Sequence, residues 1–156
     1  MNYRTSTHVA KTLKLALILS APCFPSFAFG NISIEIQCFR SFERNEIKLE
    51  FRTFYEIESR WSGGYVKYST SQEAIPIFLM LAKSTPTSDS SPDDTTSKWL
   101  EIKNGKITGS YEASSQGART YNFIYENFEN KEHINLIQDP NTDYSIESGC
   151  EWDKSE

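Results

Sequence analysis

Hydrolysis by a serine or cysteine nucleophile needs a base to take its proton. Outside the first thirty residues the chain holds one histidine, His133. Its apolar neighbours Ile134 and Leu136 recur at period two, so His133 reads as a strand-surface residue and not as a general base. A pair of carboxylates could do acid-base work, but 21 Asp and Glu residues single out no pair. Asp139-Pro140-Asn141-Thr142-Asp143 sets oxygen ligands at alternate positions, as a calcium loop begins. Tyr144 then stands where the sharp-turn glycine belongs and Cys150 where the bidentate glutamate belongs, so the segment reads as a polar turn. There are no Cys/His pairs for zinc and no phosphate-cradling glycine loop. The expectation is a non-enzymatic protein with no catalytic residues, no metal and no cofactor.

Recognition is better provided for than catalysis. Arg60-Trp61-Ser62-Gly63-Gly64-Tyr65-Val66-Lys67-Tyr68 puts Arg, Trp and Tyr, the types enriched at binding hot spots, on a stretch loosened by two glycines. Arg60, Trp61, Ser62, Tyr65 and Lys67 are therefore the candidate binding residues, on a loop leading into a short strand. The stripe Tyr121, Phe123, Tyr125 has the spacing to stack on bases or sugars, but at period two it reads as one wall of a core.

The chain's beginning decides where such a protein would work. The first thirty residues contain Arg4, Lys11 and Lys14, no acidic residue, and the apolar residues Leu13, Leu15, Ala16, Leu17, Ile18 and Leu19. That is a signal-peptide pattern, and Pro22 and Pro25 break it well short of the ~20 residues of a membrane-spanning helix. Small residues at 26, 28 and 30 place cleavage after Ala28 or after Gly30. Cys23 raises a lipid anchor, against which Pro22 and the lack of a leucine three residues upstream both argue. The expected location is the periplasm or the outside of the cell. Loss of residues 1–30 removes three basic residues, leaving 13 Lys and Arg against 21 Asp and Glu, a net charge of −8. Such a charge disfavours a nucleic-acid partner.

About 126 residues remain, enough for one domain with a real core. Cys38 and Cys150, one near each end, fit a single disulfide in an oxidising compartment, which would bring the first and last strands side by side. Ile32, Ile34, Ile36 and Cys38 alternate with polar residues and are expected to face the core. Ile47, Leu49, Phe51, Thr53, Tyr55 and Ile57 repeat the pattern, and Glu43 to Glu46 make the turn of an antiparallel hairpin between the two. Ile75 to Leu81 is read as a buried strand, and Asn104-Gly105 as a two-residue hairpin. A third hairpin turns at Glu129 to Lys131. Ser84 to Ser97 has no large apolar residue and is expected to be a mobile loop. The fold class is mainly β: residues 1–30 as a signal peptide, then 31–156 as one antiparallel meander closing into a small barrel or sandwich.

Ser62-Gly63-Gly64-Tyr65-Val66-Lys67-Tyr68 resembles the signature of the periplasmic inhibitors of C-type lysozyme, a Ser-Gly-rich turn followed by a tyrosine strand. Those are small exported β-barrel proteins with a disulfide. The resemblance implies that Ser62 enters the active cleft of the enzyme, where an acidic inhibitor suits a basic lysozyme. The family's second residue, a lysine followed by glycine, has no clean counterpart, since Lys83 lies too far along and precedes Ser84. The match covers about a dozen residues plus the general plan, and the chain beyond Ser97 is extra. The functional expectation is an inhibitor or immunity-type protein for an envelope-acting hydrolase, with a surface or envelope structural protein as the alternative. Partner identity and oligomeric state are not legible at this level.

Overall fold

A computed structural model describes residues 31–43, 47–87 and 91–152. The expected signal peptide and cleavage point, Cys23 and the middle of the first turn lie outside the described residues. Eight strands form a closed antiparallel barrel in chain order: β1 (Ile32–Ser41), β2 (Lys48–Glu56), β3 (Trp61–Tyr68), β4 (Ala74–Thr85), β5 (Asp94–Lys103), β6 (Lys106–Gln116), β7 (Arg119–Asn127) and β8 (His133–Gln138). Closure is made by β8 against β1, with Leu136 opposite Ser41 and Gln138 opposite Phe39. Two short strands, β9 (Asp143–Ser145) and β10 (Gly149–Glu151), pair with each other as a separate ribbon. The meander, the barrel and the Cys38–Cys150 disulfide are all present. Asn104 and Gly105 both take positive φ, as a primed two-residue hairpin requires.

Rings fill the interior. Phe39 lies flat on Phe123 with centroids 3.9 Å apart, and Phe51 meets Phe123, Trp99 and Tyr111 at 5.0 to 6.2 Å. Leu49, Val66, Ile77 and Leu136 close the gaps between them. These contacts set the inward face of each strand through the ladder: Phe39 opposite Leu49, Phe51 opposite Val66, Trp99 opposite Tyr111, Phe123 opposite Leu136.

Four sequence expectations change. Ile75 to Leu81 is a strand, but only Ile75 and Ile77 in it are buried, and Phe78, Met80 and Leu81 face solvent. The isoleucines of β1 point away from the barrel interior, because Phe39 (0% exposed) takes the inward side and fixes the alternation. Ile36 and Cys38 are buried instead against Cys150 and Trp152 on the outer surface, while Ile32 is 56% exposed. Both ends of the loop expected over 84–97 are strand: Ser84 pairs with Thr95 and Thr85 with Asp94, so the connection shrinks to 86–93. Backbone pairing orders these serines and threonines without a hydrophobic face. Finally, the last strand does not pair beside the first. The ribbon lies on the outside of the barrel, and the disulfide fastens it there.

Candidate functional site

The stretch expected to be a glycine-loosened loop is strand β3, paired on both sides. Its residues alternate, so the five candidates do not converge. Ser62, Gly64 and Val66 share the inward side, and Trp61, Gly63, Tyr65 and Lys67 the outward one, following the register of Phe51 with Val66. Each glycine allows a close approach. A Cβ on Gly63 would stand 2.6 Å from the Trp61 ring, which lies across it, and a Cβ on Gly64 would collide with the Arg52 carbonyl oxygen of β2. Arg60 ends the β2–β3 turn at φ 56°.

Tyr65 belongs to a different constellation. Its hydroxyl donates to Glu50 Oε1 at 2.9 Å, and the Arg52 guanidinium sits 5.5 Å from its ring centroid. Burial, then the Glu50 hydrogen bond and charge, push the Tyr65 phenol up to about 12. Glu50 also accepts Arg52 Nε at 2.8 Å and the Cys150 backbone N–H at 3.0 Å. Arg52 Nη1 reaches the Ile146 carbonyl at 2.9 Å. Gly149, at φ 72°, is the only residue type that fits here, because a Cβ would overlap the Glu50 carboxylate. Lys67 stands opposite Glu50 and lines a small cavity of about 70 Å³ beside the ribbon. Tyr65 thus serves the docking of β9 and β10 through Glu50, and Lys67 lies beside that contact.

A second buried carboxylate escaped the sequence reading. Glu101 projects inward from β5 and accepts Thr108 Oγ1 at 2.6 Å, Tyr111 OH at 2.8 Å and Tyr125 OH at 3.3 Å. The Tyr68 and Tyr111 hydroxyls lie 3.1 Å apart. Burial raises the phenols of Tyr111, Tyr68 and Tyr125 above the ordinary tyrosine value, with Glu101 adding to each. One signal was available in the sequence: Glu101 shares the parity of Trp99. Three hydroxyl donors satisfy this carboxylate inside the core.

His133 is exposed at the start of β8 and stands opposite Glu126. It lines a cleft of about 170 Å³ with Ser41, Glu43, Ile47, Glu132, Ile134 and Asn135. The Ser41 hydroxyl there accepts the Ile47 N–H at 3.4 Å, which ties it to the turn. Among the described residues, no group of three or more His, Cys, Asp or Glu side chains is placed to hold a metal ion.

Large exposed side chains occur on the ribbon (Tyr144, Ile146), at the barrel end where β1 finishes (Phe42, Ile107), and at the end where β1 begins, which holds Arg60, Trp61 and Ser62. The rim carries exposed Tyr55 and Ile57 around the β2–β3 turn, with Ser62 directly opposite Tyr55. The adjoining outer wall carries Ile34, Phe54, Trp61 (52% exposed) and Phe78 (46% exposed). In the comparisons with known proteins, no family model, no curated protein and no solved structure matches this chain.

Proposed function

We propose that the mature chain is an exported, non-enzymatic protein that binds and inhibits a basic envelope-acting hydrolase, a C-type lysozyme being the first candidate. The observation that carries this reading is the rim, where exposed Tyr55 and Ile57 flank the turn ending in Arg60, and Ser62 stands beside Tyr55. Tyr and Arg around an apolar centre are the composition of binding hot spots. A net charge of −8 on the mature chain steers a cationic partner towards it. The interior is occupied by rings in contact, which directs recognition to the outside.

No helix among the described residues is long and apolar enough to cross a membrane. The barrel encloses its rings, and Lys48 and Lys98 lie on strand faces turned outward.

The test is to titrate the purified mature chain, disulfide intact, into a lysis assay with C-type lysozyme and a panel of other envelope hydrolases. Stoichiometric inhibition is expected, and it should be lost in Ser62→Arg and Ile57→Asp. No inhibition of any enzyme in the panel would overturn the reading.

One observation favours a second reading, an envelope structural protein. The β3–β4 ladder ends at Gly63 and Phe78, whereas β4 continues to Thr85, so its outer edge is open to a partner strand. Fractionation separates the two, since an inhibitor stays in the soluble periplasmic or secreted fraction and a structural protein sediments with the envelope.

A further inference from the structure

The outer wall at the rim end is a continuous apolar row across five strands. Register places Ile34 of β1 beside Phe54 of β2, Phe54 beside Gly63 of β3, Gly63 beside Phe78 of β4, and Phe78 beside Leu100 of β5. The gap at Gly63 is filled by the Trp61 ring lying over it. The next row runs Ile32, Glu56, Trp61, and then Leu81 beside Lys98. A register shift between Leu79 and Leu81 makes Met80 the extra residue of a bulge, so Met80 and Leu81 both reach solvent, each 53% exposed. A contiguous patch of this kind marks an interaction surface on a soluble protein.

We propose that this wall packs against the same wall of a second copy of the chain, forming a two-fold dimer. The argument is charge. Glu56 on β2 and Lys98 on β5 bracket the apolar middle of the second row, about 14 Å apart at the usual strand spacing, with Ile32 of β1 beyond Glu56 and Glu112 of β6 beyond Lys98. A two-fold axis lying in the interface, parallel to the strands and between β3 and β4, sets Glu56 of each copy opposite Lys98 of the other. Trp61 of each copy then faces Phe78 and Leu81 of the other across the axis, a reciprocal contact of the isologous kind. The wall between those two charges carries no other ionisable residue in either row, so the −8 of each mature chain is carried elsewhere. Area agrees with the charge pattern. Two half-exposed rings and four half-exposed aliphatic side chains offer on the order of 500 Å² of apolar surface, the larger part of the ~800 Å² each partner gives to a standard interface. The proposal goes beyond the inhibitory role and does not rest on it, because Ser62 faces inward, although the Glu56 carboxylate also accepts the Glu58 and Ser59 N–H groups of the rim turn.

Sedimentation equilibrium on the mature, disulfide-bonded chain reads the outcome. A mass twice that of the monomer is expected at about 1 to 100 µM, with Phe78→Asp weakening association at least roughly a hundredfold. Charge exchange guards against a variant that merely fails to fold: Glu56→Lys and Lys98→Glu should each be monomeric alone, and an equimolar mixture of the two should form a heterodimer. A monomeric wild-type chain across that range would overturn the proposal. So would a dimer unchanged by Phe78→Asp, or single charge variants that dimerise alone and do not prefer each other.

Discussion

The Glu50 carboxylate accepts the backbone N–H of Cys150 at 3.0 Å, joining residues 100 positions apart. That bond and the Cys38–Cys150 disulfide clasp the ribbon to the barrel from the two adjacent strands β2 and β1. Glu50 is 5% exposed, and a buried carboxylate is tolerated only when its lone pairs are met. Arg52, Tyr65 and Cys150 meet them here, so the ribbon completes the barrel's outer face as well as hanging from it.

Glu50→Gln keeps the shape and removes the charge, and it should cost roughly 1–3 kcal/mol in urea unfolding. It should also lower the Tyr65 pKa from about 12, since the Glu50 hydrogen bond and charge are the second and third causes of that rise, after burial. The sign with pH follows. A phenol raised in the folded state stabilises that state fully below the unfolded value near 10. Above that value the unfolded chain sheds its proton first, and the stability is lost as pH climbs towards 12. Stability measured between pH 9 and 12 should therefore fall less steeply in Tyr65→Phe than in the wild type. Equal slopes would remove Tyr65 from the account.

Removing the disulfide with Cys38→Ala and Cys150→Ala should destabilise by roughly 4 to 5 kcal/mol in the chain-entropy model, because the bridge closes 112 residues of chain. The barrel should survive, since β8 closes it against β1 without the bridge. Hydrogen exchange distinguishes the parts: the Cys150 amide should lose its protection while the Phe123 and Tyr125 amides on β7 keep theirs. Loss of protection throughout would mean that the ribbon is integral to the barrel.

How much of this was legible follows from which faces are wet. Leu49 and Phe51 on β2 were readable because their alternation meets a core on one side only. β1 was misread because both of its faces are buried near Cys38 and Phe39, one by the barrel and one by the ribbon. An alternating run of isoleucines does not say which side is inside in that case. Thr95 to Ser97 gave no strand signal, since that part of β5 is held by pairing with β4 and β6 and not by a hydrophobic face. Gly63 and Gly64 looked like a break, although close approach of Trp61 and of the β2 backbone is what demands them. Parity with Trp99 was the one sign that Glu101 turns inward; its role was not legible, because its hydroxyl donors come from β6 and β7 and reach it only in the closed sheet.

Tyr111→Phe tests that inner network. The Tyr111 hydroxyl donates to Glu101 at 2.8 Å and stands 3.1 Å from that of Tyr68, so its loss leaves a buried carboxylate short of one donor. A cost of roughly 1.5–3 kcal/mol is expected, the range for hydrogen bonds to charged groups. The same residue predicts a spectroscopic result: its phenol, raised by burial, should stay protonated in an alkaline absorbance titration until the barrel unfolds. A Tyr111 that ionises with the exposed tyrosines would contradict the packing.

The two glycines of β3 should respond differently to the same added methyl group. In Gly64→Ala the new Cβ meets the Arg52 carbonyl oxygen and lies 3.2 Å from Thr53 Cα. Those are backbone atoms of a paired strand, so the ladder itself must shift. A loss of roughly 1–3 kcal/mol is expected, as for other overpacked sites. In Gly63→Ala the obstacle is the Trp61 ring, the far end of a half-exposed side chain that can swing away. Its cost should stay within about 1 kcal/mol, while Trp61 moves further into water and its fluorescence shifts to the red. Because the ring then stands off the wall, Gly63→Ala should also weaken self-association without weakening the fold, and equal stability losses in the two variants would show that Trp61 is held more firmly than its exposure implies.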